Sequence, residues 1–145
     1  LFDAASFTTR VLKVPKNPDT RITELIDYEQ FCGAAPTKAA PVRELSVREL
    51  QQWMRNDAKF QLIDVREPYE YDIANLQGKL IPLDQLANRT GEIRRDIKVV
   101  LHCRSGVRSA DAIRRLQQLG YDNLYNLKGG ILAWSEEIDQ DVPMY

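Results

Sequence analysis

One cysteine of this 145-residue chain stands in a sequence context that favours nucleophilic chemistry. The stretch Cys103-Arg104-Ser105-Gly106-Val107-Arg108-Ser109 follows a short apolar run, Val99 to Leu101, which predicts a buried strand. Apolar residues then recur at helical spacing as far as Gly120, which predicts a helix that ends there. Cys103 is therefore predicted to lie in a loop between the end of a strand and the start of a helix.

This position is expected to activate the thiol. Backbone N–H groups of such a loop, together with the N-terminus of the helix, point towards a negative charge. Arg104 and Arg108 add two positive charges. We therefore predict that Cys103 ionises below the ordinary thiol pKa of about 8.5 and acts as a catalytic nucleophile. A buried structural cysteine is the alternative, but the polar, charged and turn-forming residues that follow it do not favour that interpretation.

The length of the loop narrows the range of groups that Cys103 could transfer. Four residues separate Cys103 from Arg108, whereas cysteine-dependent phosphatases place one more residue between their cysteine and arginine, and their backbone amides enclose a tetrahedral phosphate. A shorter loop gives a tighter cradle, which suits a terminal sulfur atom carried on the cysteine. The residues predicted to bind the substrate are those of the loop: Arg104, Ser105, Gly106, Val107, Arg108 and Ser109.

Other catalytic chemistries find no support in the residue types. His102 is the only histidine and directly precedes Cys103. Because adjacent residues of a strand point to opposite faces, we expect its ring to face away from the sulfur. A cysteine–histidine hydrolase would therefore lack its base. One histidine and two distant cysteines, Cys32 and Cys103, cannot supply a zinc site, so neither a metal nor a cofactor is predicted.

Segments outside the loop resemble those of rhodanese-type sulfurtransferase domains, and the similarity runs from about residue 43 to residue 145. The stretch Leu62-Ile63-Asp64-Val65-Arg66-Glu67-Pro68-Tyr69-Glu70 resembles the family's D-V-R-E-x-x-E motif. Gly78 to Leu83 resembles its G-A-x-x-I-P segment, and Lys128 to Trp134 its G-G-x-x-x-W element. The ending, Asp141 to Tyr145, also resembles the end of such domains.

This resemblance implies an enzyme, a sulfurtransferase of the thiosulfate class that moves sulfane sulfur through a persulfide on Cys103. Its donor would be thiosulfate or a persulfide donor such as a cysteine desulfurase. Two other functions remain open, a cysteine-dependent phosphatase or arsenate reductase of related fold, and a non-catalytic rhodanese-like binding module. The short loop disfavours the first, and the intact cysteine disfavours the second.

Arg66 has two interpretations. It lies two residues from Asp64 in a strand that is ending, so the two side chains point to the same side. Arg66 could add a positive field near the thiolate, which makes it a candidate substrate-binding residue. It could equally form a structural salt bridge that ties the end of the strand to its surroundings.

Strands and helices alternate, which predicts an α/β fold with a mostly parallel sheet and helices on both faces. The resemblance adds that the fold is rhodanese-like and its sheet five-stranded. The predicted strands are Phe60 to Val65, Leu80 to Leu83, Lys98 to His102 and Asn123 to Leu127. The predicted helices are one capped by Ser46, Glu67 to Ala74, Leu86 to Arg95, one ending at Gly120, and one after Gly129 and Gly130 that carries Ile131 and Trp134.

The first 33 residues form a separate segment. Residues 34–42 are rich in alanine and proline and are predicted to be a linker. Residues 1–33 resemble the C-terminal end of ubiquitin-activating-type adenylyltransferases, in particular the MoeB/ThiF-like branch. The resemblance implies that the rhodanese domain, residues 43–145, is the C-terminal part of an adenylyltransferase–rhodanese fusion. It also implies a partner, a ubiquitin-like sulfur-carrier protein of molybdopterin, thiamine or tRNA thiolation pathways. The zinc-holding Cys-x-x-Cys pair of that branch has no counterpart between Pro15 and Arg21.

Charge and hydropathy narrow the range of partners. The net charge of −1 gives no reason to expect nucleic acid or an anionic membrane surface as the main partner. No apolar run approaches the ~18 residues of a membrane span, and no signal-peptide pattern occurs. Two cysteines are too few for a disulfide framework and fit a reducing compartment. We therefore expect a cytoplasmic enzyme.

Overall fold

The computed structural model of the chain describes residues 2–3, 8–9 and 41–144. The chain divides into two units, Leu1–Thr37 and Lys38–Tyr145. In the first unit the described residues form an antiparallel pair, β1 (Phe2–Asp3) with β2 (Thr8–Thr9). The rest of the predicted adenylyltransferase tail, Cys32 and most of the predicted linker lie outside the described residues.

The second unit is built on a five-stranded sheet whose strands are all parallel. The strands are β3 (Glu44–Leu45), β4 (Phe60–Asp64), β5 (Lys79–Leu80), β6 (Lys98–His102) and β7 (Leu124–Leu127). Their order across the sheet is β3–β7–β6–β4–β5, which places β6 in the centre. The helices are α1 (Val47–Arg55), α2 (Pro68–Ile73), α3 (Val107–Gln118) and α4 (Gly130–Glu137). The predicted α/β class with its five-stranded, parallel sheet is confirmed.

Helices cover both faces of the sheet, so the central strand is apolar on both sides. Val99 and Leu101 of β6 belong to the core cluster that includes α3, whereas Val100 belongs to the cluster that includes α1 and α4. This alternation follows from the two-residue period of a strand. The buried helix residues are Ala112, Ile113 and Leu116 on the first face, and Val47, Leu50, Ile131 and Trp134 on the second.

The helix that the sequence predicts after Ser46 begins with a capping box. The hydroxyl of Ser46 accepts the N–H of Glu49 at 3.2 Å, and the Glu49 carboxylate accepts the N–H of Ser46 at 2.8 Å. Two N–H groups that the first turn leaves unpaired are thereby bonded. The Ser46 hydroxyl and N–H both donate to the Glu49 carboxylate, and because they stabilise its charged form they lower the pKa of Glu49.

Two predicted elements differ from the structure. The prediction of a helix from Leu86 to Arg95 is wrong, because this segment forms two 3-10 turns, Leu86–Asn88 and Thr90–Glu92. Only Leu86 and Ile93 of the segment are buried, which is too little apolar surface to stabilise a helix that also contains a glycine. The strand predicted from Leu80 to Leu83 ends early, at Leu80, because Pro82 has no N–H for the ladder.

Candidate active site

The Cys103 side chain lies at the carboxyl end of the central strand, directly after β6. The residue is buried, with 1% of its surface exposed. The next residues, Arg104 to Gly106, form the loop that leads into α3. In parallel sheets the carboxyl ends of the strands are where ligand sites form. The sequence prediction of a strand–loop–helix position for Cys103 is thus what the structure contains.

Two donor groups lie within hydrogen-bonding distance of the sulfur. The N–H of Gly106 lies 3.1 Å from Cys103 Sγ, and the hydroxyl oxygen of Ser109 lies 3.5 Å from it. Burial alone raises the pKa of the Cys103 thiol, but the Ser109 hydroxyl and the backbone N–H groups of Ser109, Ser105 and Gly106 outweigh it. The pKa of Cys103 is therefore lowered from its ordinary value, so a larger fraction of the side chain is present as the nucleophilic thiolate.

Gly106 can turn its N–H to the sulfur because it adopts a left-handed conformation, with φ at +93°. A Cβ atom at this position would lie 3.2 Å from the carbonyl oxygen of Leu127 and 3.3 Å from the backbone nitrogen of Gly129. Glycine is therefore required here both for its backbone angles and for the close approach of β7 and the chain that follows it.

The outer side of the loop is held by the first turn of α4. The N–H of Ile131 donates to the carbonyl of Cys103 at 2.9 Å, and the N–H of Leu132 donates to the carbonyl of Arg104 at 3.2 Å. A Cβ atom on Gly130 would lie 2.6 Å from the Arg104 carbonyl oxygen and closer still to that of Cys103. These bonds fix the loop carbonyls on α4. The sequence places Gly129 and Gly130 only before a predicted helix, and it gives no sign that Gly130 packs against the loop carbonyls.

Arg108 is paired with a carboxylate from another element. Its guanidinium donates to both oxygens of Glu70 on α2, at 2.6 Å each. The Glu70 side chain is 5% exposed and also accepts the N–H of Glu67 at 3.0 Å. The positive charge of Arg108 is therefore balanced within the fold, and its predicted contact with the substrate stays a prediction. Glu70 lies in the stretch that resembles the D-V-R-E-x-x-E motif, but that stretch does not predict that Arg108 is the partner of Glu70.

Arg66, also predicted to bind the substrate, is buried and paired in the structure. Its side chain has no exposed surface, and it pairs with Asp64 at 2.5 Å. Its guanidinium also donates to the carbonyl of Ala74 at 2.7 Å, which ties the end of β4 to the end of α2. The structural salt bridge, one of the two interpretations, is thus present in the structure, and a contact between Arg66 and the substrate stays a prediction.

His102 is buried beside this ion pair. Its Nε2 lies 3.6 Å from the Oδ2 of Asp64, on the neighbouring strand. Burial lowers the pKa of His102 to about 4, against the opposing effect of the Asp64 charge, so the ring is neutral at neutral pH. Within the part of the chain that the structure describes, neither ring nitrogen has a hydrogen-bond partner. His102 therefore offers no base to the sulfur.

Comparison with known proteins identifies the family. The model of the rhodanese-like domain family matches residues 46–137. The chain belongs to this family. A solved rhodanese-related protein from Thermoplasma volcanium is 32% identical, with a TM-score of 0.60, and the match covers 66% of this chain and 93% of that one. The expected rhodanese-like fold is thereby confirmed.

Two relatives are longer than this rhodanese domain and its preceding segment. The Mycobacterium tuberculosis protein named "Probable adenylyltransferase/sulfurtransferase MoeZ" is 38% identical over 152 residues, which cover all of this chain and 39% of the relative. The "Adenylyltransferase and sulfurtransferase MOCS3" of Anopheles gambiae is 34% identical over 174 residues, covering all of this chain and 40% of the relative. The chain thus spans about two fifths of the length of these relatives, which bear out the predicted resemblance to adenylyltransferase–rhodanese fusions.

The solvent side of the rhodanese loop is formed by Arg104, Ser105 and Val107, and Val107 is 73% exposed. Beside it lies an open groove of about 440 Å³, which Arg114 and Lys128 also line. Among residues 41–144 no cluster of three or more metal-ligating side chains occurs. None of the described helices is both long and apolar enough to cross a membrane.

Proposed function

We propose that this rhodanese domain is a sulfurtransferase in which Cys103 carries the transferred sulfur as a persulfide. The observation that carries the proposal is the environment of the Cys103 sulfur, which is buried and has the Gly106 N–H and the Ser109 hydroxyl within hydrogen-bonding distance. Donors in this arrangement stabilise the thiolate before reaction and the anionic sulfur while it is transferred.

The reaction has two half-steps. The thiolate of Cys103 attacks the outer sulfur of thiosulfate, the sulfur–sulfur bond of thiosulfate breaks, and sulfite leaves with the bonding electron pair. The product is a persulfide whose negative charge lies on the outer sulfur. An acceptor nucleophile then attacks that outer sulfur, and the Cys103 thiolate leaves, which closes a ping-pong cycle. Charge is conserved in each half-step, and neither needs a metal or a redox cofactor.

The pairing of Arg108 favours sulfur transfer over phosphate hydrolysis. A phosphatase loop uses its arginine to bind phosphate oxygens through a pair of parallel hydrogen bonds. In this chain Nη1 and Nη2 of Arg108 each donate a hydrogen to Glu70, so its end-on pair of hydrogen bonds is made to a carboxylate of the same domain. Together with the short loop, this supports a sulfur atom rather than a phosphate as the group held in the loop.

The intact mass of the chain tests the assignment. After incubation with thiosulfate we expect a gain of one sulfur atom, which cyanide removes as thiocyanate. Cys103→Ala should show neither the gain nor thiocyanate formation, whereas the matched control Cys32→Ser should show both. Retention of most of the activity by Cys103→Ala would disprove the role of this cysteine. An unchanged mass of the unaltered chain, together with hydrolysis of an aryl phosphate, would favour the phosphatase.

For the acceptor, we propose a ubiquitin-like sulfur-carrier protein, as in molybdopterin, thiamine or tRNA thiolation pathways. The support is the similarity to relatives whose names join an adenylyltransferase to a sulfurtransferase. The Cys103 persulfide would attack the adenylated C-terminus of the carrier, AMP would leave, and a dithiol would reduce the acyl disulfide to a thiocarboxylate. The two cysteines of the chain fit a reducing compartment, and we place the reaction in the cytoplasm with thiosulfate or a cysteine desulfurase as donor.

The carrier itself provides the measurement. Persulfidated chain is mixed with each candidate carrier, adenylated at its C-terminus, and dithiothreitol is added only after the transfer, to reduce the acyl disulfide. The expected result is a carrier in which one C-terminal oxygen is replaced by sulfur, and Cys103→Ala should abolish it. If no carrier is modified while cyanide still accepts sulfur, the domain is a general sulfane-sulfur enzyme and the proposed acceptor is wrong.

A further inference from the structure

The hydroxyl of Ser109 has three acceptors within reach but only one hydrogen to donate. Its oxygen lies 2.6 Å from Asn126 Oδ1, 3.2 Å from the carbonyl of Gly106 and 3.5 Å from Cys103 Sγ. A serine hydroxyl donates to one acceptor at a time and can accept through its lone pairs. The shortest of the three distances gives the hydrogen to Asn126 while the sulfur is neutral, and a thiol S–H can then donate to the Ser109 oxygen.

The orientation of Asn126 is fixed by a carboxylate on the next strand. Asn126 lies on β7 in register with Glu44 on β3, and its Nδ2 lies 3.2 and 3.1 Å from the two carboxylate oxygens of Glu44. An ionised carboxylate only accepts hydrogen bonds, so the NH₂ group of Asn126 must face Glu44. The amide oxygen therefore faces Ser109, and Asn126 is an acceptor there and not a donor.

We propose that Asn126 competes with the sulfur of Cys103 for the single hydroxyl hydrogen of Ser109, and that Glu44 holds Asn126 in the orientation that makes it a competitor. Ser109 donates to Asn126 when the sulfur is neutral and to the sulfur when the sulfur is anionic. Ser109 touches the reacting atom. Asn126 and Glu44 act only through Ser109, and they are positioning residues.

This competition gives the reaction cycle a consequence that rests on the proposed function. In the thiolate the charge is on Sγ, and Ser109 turns to it. In the persulfide the charge has moved to the outer sulfur, Sγ is neutral, and the hydroxyl returns to Asn126. When an acceptor removes the outer sulfur, charge returns to Sγ as the leaving group, and Ser109 donates again. The hydroxyl thus stabilises Cys103 only in the states in which Sγ carries charge.

The test is the pKa of Cys103, measured by the pH dependence of its alkylation with iodoacetamide, with the Cys103 peptide followed by mass spectrometry. Ser109→Ala removes the donor and should raise this pKa by about one unit. Asn126→Leu removes the competitor and should lower it by roughly half a unit. The double variant should match Ser109→Ala, because Asn126 acts only through the hydroxyl.

Glu44→Gln is a second way to remove the competition. A glutamine can donate as well as accept, so it allows the Asn126 amide to flip and present its NH₂ group to Ser109. The shift in the Cys103 pKa should again be downward, and most of it should vanish in the Ser109→Ala background. A shift caused by lost negative charge alone would persist in that background. Glu136→Gln, which removes an exposed charge elsewhere, is the charge-matched control and should leave the pKa unchanged.

The variants leave the other charged groups on the surrounding elements in place, so a difference between them reports on the Ser109 hydrogen. The charged groups include Asp64, Arg66, Glu70, Arg104, Arg108, Arg114 and Lys128, and the neutral His102 is also unchanged. Circular dichroism establishes that each variant is folded. The proposal is overturned if folded Asn126→Leu or Glu44→Gln leaves the pKa unchanged or raises it, or if the downward shift survives undiminished without Ser109.

The alkylation measurement requires no sulfur transfer, so it separates this proposal from the proposed function. If the chain forms no persulfide but the pKa cycle behaves as described, the competition stands and the sulfurtransferase assignment fails. If persulfide forms but the cycle shows no coupling between Asn126 and Ser109, the sulfurtransferase assignment stands and the competition is refuted.

Discussion

A single methyl group at Gly130 should displace the active loop. Gly130 has a φ of +60°, and a Cβ there would lie 2.6 Å from the carbonyl oxygen of Arg104 and closer to that of Cys103. Both are backbone atoms, so they cannot rotate aside as the end of a flexible side chain could. The same two carbonyls accept the N–H groups of Ile131 and Leu132. Gly130→Ala must therefore lengthen both hydrogen bonds or move the loop.

The chain contains a matched control for the backbone strain. Gly120 also has a positive φ, +80°, but among the described residues no heavy atom lies within 4 Å of the place where its Cβ would be. Gly120→Ala should therefore show only the left-handed strain of about 1–2 kcal/mol. Gly130→Ala adds the loss of two hydrogen bonds worth about 1 kcal/mol each. Its free energy of unfolding should thus fall by about 3–4 kcal/mol, roughly 2 kcal/mol more than that of Gly120→Ala.

Urea unfolding of the two variants and the original chain measures this difference, and the pH dependence of Cys103 alkylation measures its effect on the site. In Gly130→Ala the loop N–H groups should no longer converge on the sulfur, so the pKa of Cys103 should rise. In Gly120→Ala that pKa should not change. Equal losses of stability in the two variants, with the same Cys103 pKa, would refute the role of Gly130 in holding the loop.

Two further predictions concern buried charged and titratable groups. Glu70→Gln should lower the free energy of unfolding by about 2 kcal/mol, less than for a fully enclosed pair, because the Arg108 side chain is 35% exposed and can be hydrated. An unchanged urea midpoint would show that the pair contributes nothing. The pKa of His102 is about 4 in the folded chain and about 6.5 when unfolded, so the unfolded state takes up the proton first as the pH falls. The free energy of unfolding should therefore decrease by about 2 kcal/mol from pH ~7 to pH ~5, and His102→Gln should remove most of that decrease; a slope that His102→Gln leaves unchanged would contradict it.

The elements that could be predicted from the sequence are those whose signals are local and repeated. β6 was predicted with its observed bounds, because a short run of apolar residues, two of them β-branched, is followed by the polar loop. Helix α3 has apolar residues at helical spacing over three turns, followed by a glycine. The two residues of β3 are too few for any alternation to be seen. The segment after Leu86 was mistaken for a helix, because only its first and eighth residues bury apolar side chains.

The site divides in the same way. The loop from Cys103 to Ser109 is contiguous, so its position and the convergence of its backbone N–H groups could be predicted from one stretch of sequence, whereas the Ser109 hydroxyl as a donor was not. The partners of the loop could not, because topology brings them there. Glu70 lies 38 residues before Arg108, and Glu44 lies 82 residues before Asn126. The pairing of β3 with β7 places Glu44 beside Asn126, and no local pattern around either residue encodes that pairing.

The ion pairs of Arg66 and Arg108 change the explanation of why the pKa of Cys103 is lowered. The sequence suggested that arginine charges activate Cys103, yet Arg66 is paired with Asp64, and Arg108 with Glu70. In each pair the negative charge of the carboxylate offsets the positive field that the arginine would otherwise exert at the sulfur. The donors that bond the sulfur are neutral, a backbone N–H and a hydroxyl.

Neutral donors suit a reaction in which the charge moves. A persulfide carries its negative charge about 2 Å beyond Sγ, one sulfur–sulfur bond away. A cation bonded to Sγ would stabilise the thiolate strongly and so make it a weaker nucleophile, because nucleophilicity falls as the thiol pKa falls. The backbone N–H groups of the loop can stabilise either position of the charge, and the Ser109 hydroxyl adds its hydrogen bond when the charge is on Sγ. The ion pairs of Arg66 and Arg108 can then be understood as structural supports that keep those donors in place. Arg66 joins the end of β4 to the end of α2, and Arg108 joins the first turn of α3 to α2.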